Sequence, residues 1–210
     1  DVNKYLQNMG FSPIKVPSGC SPLIEYIGTA PPANIDGSKV RERAFKTPLL
    51  VSFLYPSGWL VETPTLTENG EAGKIAANDY LKGDAADFVS LPLPSGKGLG
   101  DVNKEYLKGW LSSQMTSDVF EDVKVRKTSI AKAADGVETL SIDFTYTLLT
   151  RAGFTVERRG VASAMAVTDT LSGLVLTTTA QRFKTLESTF RSCADSFRVY
   201  TVAKPSAMFS

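Results

Sequence analysis

A chain of 210 residues, 42% hydrophobic and 21% charged, has the composition of an ordinary globular domain with a sizeable core. A formal net charge of +1 argues against a reader of nucleic acid, which must neutralise many phosphates, and no run of about 18 apolar residues exists to span a membrane. Histidine is absent, which removes the commonest general base, the Ser–His and Cys–His pairs and the commonest neutral metal ligand.

The chain begins at Asp1 without a signal-like stretch and reads as a processed form or a fragment. Residues 1–46 hold Pro13, Pro17, Pro22, Pro31 and Pro32, with Gly10, Gly19, Gly28 and Gly37 between them. They predict an irregular or extended arm with one short helical turn over residues 2–9. Tyr5, Phe11, Ile14, Leu23, Ile24, Tyr26 and Ile27 are too apolar for a free linker, so the arm lies along its own domain or packs on a partner. We expect it to carry partner specificity, with the domain as a rigid platform that survives deletion of residues 1–38.

The domain itself is expected over residues 47–203, with 204–210 as a tail. In LLVSFLYP, Leu49, Val51, Phe53 and Tyr55 alternate onto one face of a strand. Pro56-Ser57-Gly58 turns the chain into a second strand at Trp59-Leu60-Val61, giving a hairpin. Residues 64–73 read as a polar loop, residues 75–80 and 86–91 as two shorter strands, and residues 91–100 as a Pro/Gly loop. Asp101 is the expected N-cap of a helix reaching about Ser117, with Val102, Tyr106, Trp110, Leu107, Leu111 and Met115 as its apolar stripe. Val123 and Val125 alternate with Lys124 and Arg126 in a strand with one basic face. Asp135-Gly136 turns into Leu140, Ile142, Phe144, Tyr146 and Leu148, which alternate cleanly, and Arg151-Ala152-Gly153 reverses into residues 154–167. After residues 170–173 a β-branched strand follows. Phe183, Leu186, Phe190, Cys193 and Phe197 then recur at helical spacing on one face, a core helix. The sum is an α+β architecture, one antiparallel sheet between helices.

Chemistry is harder to find. PSGKGLGD, residues 94–101, fails the phosphate-loop pattern, because Lys97 precedes Gly98 and no Ser or Thr follows it. Asp84 and Asp87, and Asp118, Glu121 and Asp122, lack calcium-loop spacing and read as solvated charge. Cys193 on a core face reads as an inert thiol, and no nucleophile–base pair is visible, so an enzyme is not expected. An oxidising compartment would permit a Cys20–Cys193 bridge. Basic residues gather at Lys39, Arg41, Arg43 and Lys46, the candidate docking run, at Lys124, Arg126 and Lys127, and at Arg151, Arg158 and Arg159. Clusters of this size usually mark solvated faces.

Three stretches in order resemble the PsbP family of thylakoid-lumen proteins. Residues 50–59, LVSFLYPSGW, are similar to the family's opening strand with its Pro and Trp turn. Residues 144–154, FTYTLLTRAGF, are similar to its hairpin with a Thr-Arg turn, and residues 173–197 to its final strand and helix ending in Ser-Phe. The resemblance implies an α-β-α sandwich and a chloroplast thylakoid lumen address, peripheral to the membrane. It also implies a non-enzymatic role: one copy docked as an extrinsic subunit or assembly factor on a photosynthetic complex, photosystem II at its oxygen-evolving side or photosystem I. The family's best-known members help retain calcium and chloride there, so calcium enters through the resemblance alone and no cofactor of the chain's own is expected. The arm is longer than the short N-terminus of the authentic photosystem II subunit and histidine is missing, which points to a divergent PsbP-like or PsbP-domain protein. The rival reading is a small-ligand or ion-binding module using a hollow between sheet and helix.

Overall fold

The computed structural model describes residues 2–27, 48–67, 70–72, 74–93, 97–113, 120–133, 135–150, 152–168 and 170–202. In chain order these form α1 (Val2–Asn8), β1 (Cys20–Ile27), β2 (Leu49–Pro56), β3 (Leu60–Glu62), β4 (Thr65–Thr67), β5 (Gly70–Ala72), β6 (Ala76–Asp79) and β7 (Asp84–Pro92). A 3₁₀ turn (Leu99–Asp101) precedes α2 (Lys104–Ser112), and then come β8 (Phe120–Lys132), β9 (Glu138–Leu149), β10 (Thr155–Val167), β11 (Thr170–Thr179), α3 (Ala180–Ser196) and β12 (Arg198–Thr201).

The expected α+β class holds. A seven-stranded antiparallel sheet in the order β3-β6-β7-β11-β10-β9-β8 carries α2 on one face and α3 on the other. Alternation in β9 sets this geometry. Leu140, Ile142, Phe144 and Tyr146 are buried under α2 with Trp110, while their neighbours in the strand face the α3 side. On the α3 side, Phe183, Phe190, Cys193 and Phe197 pack on Leu174, Leu176 and Val161, as the helical spacing requires. Thr179 caps α3 by accepting from the Arg182 amide.

A smaller sheet, β1-β2-β12, completes that second layer, where one sheet was expected. The arm is therefore not irregular throughout. β1 pairs with β2 over its full length, from Cys20 opposite Pro56 to Ile27 opposite Leu49, joining both sides of the boundary drawn at residue 47. Leu6, Leu23 and Ile27 are buried, and Phe11 stacks on Tyr200 with ring centroids 4.0 Å apart. Asn3 exchanges two hydrogen bonds with the Ile14 backbone, closing α1 onto the segment that follows it. Of the two placements open to the arm, residues 2–27 take the one on their own domain.

Four local expectations change. β2 and β3 form no hairpin: after Gly58 (φ +87°) the chain leaves the small sheet, and β3 pairs with β6 at the edge of the large one. The polar loop of residues 64–73 contains the β4–β5 ribbon. Asp101 ends the 3₁₀ turn and accepts from the Gly98 amide, so Asn103 caps α2 instead, accepting from the Tyr106 amide at 2.8 Å. The strand expected after residues 170–173 already begins at Thr170, so those residues are strand and not turn.

Candidate docking surface

The strand registers bring widely separated segments to one end of the large sheet. Leu60 lies opposite Asn78, Asp79 opposite Asp84, Ala85 opposite Thr177, Thr179 opposite Arg158, Thr155 opposite Leu149, and Leu148 opposite Phe120. Seven strands at about 4.8 Å spacing make this end roughly 29 Å long. Large apolar side chains stand out along it. Leu60, Tyr80 and Leu81 occupy the β3 edge and the β6–β7 turn, where Leu81 is 99% exposed. Leu149 and Phe154 form the tip of the β9–β10 hairpin, with Phe154 70% exposed. Single exposed apolar residues are ordinary, and it is their recurrence along one rim that makes this sheet end the candidate docking surface.

Beneath the tips the rim is held rigidly. Arg158, expected on a solvated basic face, is 7% exposed. Its Nη2 donates to the Gly83 carbonyl at 2.6 Å and to Thr177 Oγ1, and its Nε donates to the Tyr146 hydroxyl. Arg158 thereby ties the turn carrying Tyr80 and Leu81 to the middle of the sheet. Gly83, at φ +66°, has the left-handed backbone that this turn needs. Asp84, its side chain wholly buried, accepts from Thr178 Oγ1 and from Arg182, and Lys82 pairs with Asp79 at 2.9 Å.

The other predicted site residues are scattered. Lys39, Arg41, Arg43 and Lys46 lie outside the described residues, as do Arg151 and Asp118. Cys20 and Cys193 meet: their sulfurs are 4.0 Å apart, both residues are buried, and both are free thiols. Burial and the neighbouring Cys20 push the Cys193 thiol far up, which makes it a poor nucleophile. The paired acids separate. Asp84 faces Arg182, whereas Asp87 faces Lys74 at 3.2 Å, and burial raises the Asp87 carboxyl above its ordinary value. Among the described residues no three acidic or Cys side chains converge, so these carboxylates do not fit calcium, which takes six to eight oxygen ligands. Phe53, Leu174, Leu176, Phe183, Phe190 and Phe197 fill the space between sheet and α3, where the rival reading placed a hollow.

No family model and no curated protein matches the sequence. The solution structure of cyanobacterial PsbP (CyanoP) from Synechocystis sp. PCC 6803 matches over 84% of this chain and 92% of its own, with a TM-score of 0.50 and 18% identity. The chain has the PsbP fold. The crystal structure of the Saccharomyces cerevisiae Ran-binding protein Mog1p aligns over 85% of this chain and 96% of its own, with a TM-score of 0.42 and 7% identity. In this PsbP-like chain no described helix is long and apolar enough to cross a membrane.

The rim was not visible in the sequence. Leu60, Tyr80 and Phe154 read as strand residues or strand ends. Their one local signal is turn chemistry beside them, Lys82-Gly83-Asp84 and Ala152-Gly153.

Proposed function

We propose that this chain is a non-catalytic extrinsic protein that seats the rim of its large sheet on the lumenal face of a thylakoid photosynthetic complex, photosystem II or photosystem I. The observation that carries the reading is the row of exposed Leu60, Tyr80, Leu81, Leu149 and Phe154 on one rigid sheet end, in a fold of the PsbP type. A rim roughly 29 Å long suits a patch of about 800 Å² per partner, the size of a standard specific interface. The basic run Lys39, Arg41, Arg43 and Lys46 adds a salt-sensitive encounter with an acidic face of the complex.

Blue-native separation of solubilised thylakoids tests this. The native chain comigrates with a photosystem. Leu81→Asp combined with Phe154→Asp releases it while leaving its unfolding transition in place, because both side chains already face solvent. Charge reversal at Lys39 and Arg41 weakens association most at low salt. A native chain that runs as a free monomer and binds a small molecule tightly would overturn the docking reading in favour of a ligand-binding module.

A further inference from the structure

Two basic groups that are separate in the sequence meet on the α3 side of the large sheet. Arg159 lies opposite Thr145 in β9, and Thr145 lies opposite Lys124 in β8, so the three form one cross-strand row. Their face follows from the alternation already described: Phe144 and Tyr146 point to α2, and Thr145 and Thr147 point the other way. A register irregularity between Val125 and Lys127 inserts Arg126 beside this row, and its Nε donates to Thr145 Oγ1 at 3.1 Å. The result is a recess of about 160 Å³ whose lining includes Lys124, Arg126, Thr145, Thr147, Glu157 and Arg159. At about 30 Å³ per molecule that is room for roughly five waters.

The cations are not neutralised in the usual way. Lys124 is paired with Asp122, but among the described residues neither Arg126 nor Arg159 has a carboxylate within ion-pair distance. Arg159 is held instead by the ring of Phe183, with its guanidinium carbon 4.1 Å from the centroid. An arginine fixed by an aromatic face keeps its planar fork of donors available, and the fork matches two oxygens of one anion. Ala180, the first residue of α3, also lines the recess, so the positive end of a 17-residue helix adjoins the same space. Two carboxylates also line it: Asp122, which is taken up by Lys124, and Glu157, the opposing charge left over.

We propose that this recess binds a small tetrahedral oxyanion of the phosphate or sulfate class, gripped by Arg126 and Arg159 with Thr145 and Thr147 beside them. The site does not depend on the docking reading. Inorganic phosphate is titrated into the full-length chain and followed by two-dimensional amide NMR, with sodium chloride at matched ionic strength as the comparison. Saturable phosphate shifts centred on Thr145, Arg159 and Ala180, and absent with chloride, are expected. Arg126→Gln combined with Arg159→Gln weakens binding at least tenfold while the dispersed amide spectrum persists, and Glu157→Gln tightens it. A response that is unsaturable or identical with chloride overturns the proposal. So does a double variant that retains its spectrum and binds phosphate as well as the native chain.

Discussion

Substituting Leu6 or Leu23 by Ala tests whether the N-terminal segment belongs to this chain's own fold or waits for a partner. Both side chains are buried, Leu6 completely, and the substitutions leave the backbone and its ordering cost in place. Removing a buried leucine side chain loses its transfer free energy and leaves a cavity, at a cost of about 2–5 kcal/mol each. Against a typical total stability of about 5–15 kcal/mol, either change alone takes a large share. In a chain of this size each kcal/mol lowers Tm by about 2–4 °C, so each variant should melt roughly 4–20 °C below the native chain. Tyr5→Ala is the internal control, because Tyr5 is 47% exposed and its loss should stay within about 0.5 kcal/mol. Urea unfolding followed by circular dichroism, without any partner present, reads all three. If Leu6→Ala and Leu23→Ala behave like Tyr5→Ala, the segment is not part of the folded core and the pairing of β1 with β2 is wrong.

Gly173→Ala would drive a methyl to 2.7 Å from the Trp110 ring and 2.6 Å from the Ser163 carbonyl, at an expected cost of at least about 1–3 kcal/mol. Gly109→Ala, one residue from Trp110 in α2 and with open space around it, should stabilise by about 0.5–1 kcal/mol, and urea midpoints that fail to separate the two would count against this packing. Oxidation by a disulfide oxidant such as oxidised glutathione should join Cys20 to Cys193, the oxidant taking the two thiol hydrogens. Closing so long a loop gives at most about 5 kcal/mol in the chain-entropy account, and alkylation with intact-mass analysis after unfolding would expose two persistent thiols if the bridge does not form. Burial raises the Asp87 carboxyl, so its stabilising contribution is fully present below the unfolded-state value of about 3.9 and is lost as pH rises through the higher folded-state value. The native chain should therefore gain stability relative to Asp87→Asn as pH falls from 7 towards about 4, and a constant or opposite difference in unfolding midpoints would refute the assignment.

How much the sequence revealed depended on how local each signal was. The clean alternation of Leu140 to Tyr146 and the helical spacing of Phe183 to Phe197 each lie within one element, and both faces were readable directly. β1 was missed because Pro22 and the flanking glycines read as punctuation. Pro22 is tolerated because β1 is an edge strand, where a missing amide need not break a ladder. The change of sheet after Gly58 is also illegible locally, since a turn fixes a reversal and not the sheet that receives the next strand. Arg158 looked like one more surface cation because its acceptors, the Gly83 carbonyl, Thr177 and Tyr146, come from three other segments. The rim has the same cause: no two of its apolar clusters are neighbours in sequence, and only the strand registers assemble them.

This division between local pattern and assembled surface also explains how a PsbP fold can stand at 18% identity. The core demands volumes and periods rather than particular residues. Gly160 is required by the Phe144 ring, which a Cβ there would overlap, and Gly173 by Trp110. Exchanging each large residue together with its small partner would preserve the packing while erasing the identity. The docking and anion-binding roles proposed above fall elsewhere, on side chains outside the core, such as Leu81 and Phe154 at the tips and Arg126 and Arg159 in the recess. Variants at those positions should separate binding from folding, whereas variants at Gly160, Gly173 or Leu23 should lose both together. A tip variant that unfolds the chain, or a core variant that abolishes binding without loss of stability, would break that separation.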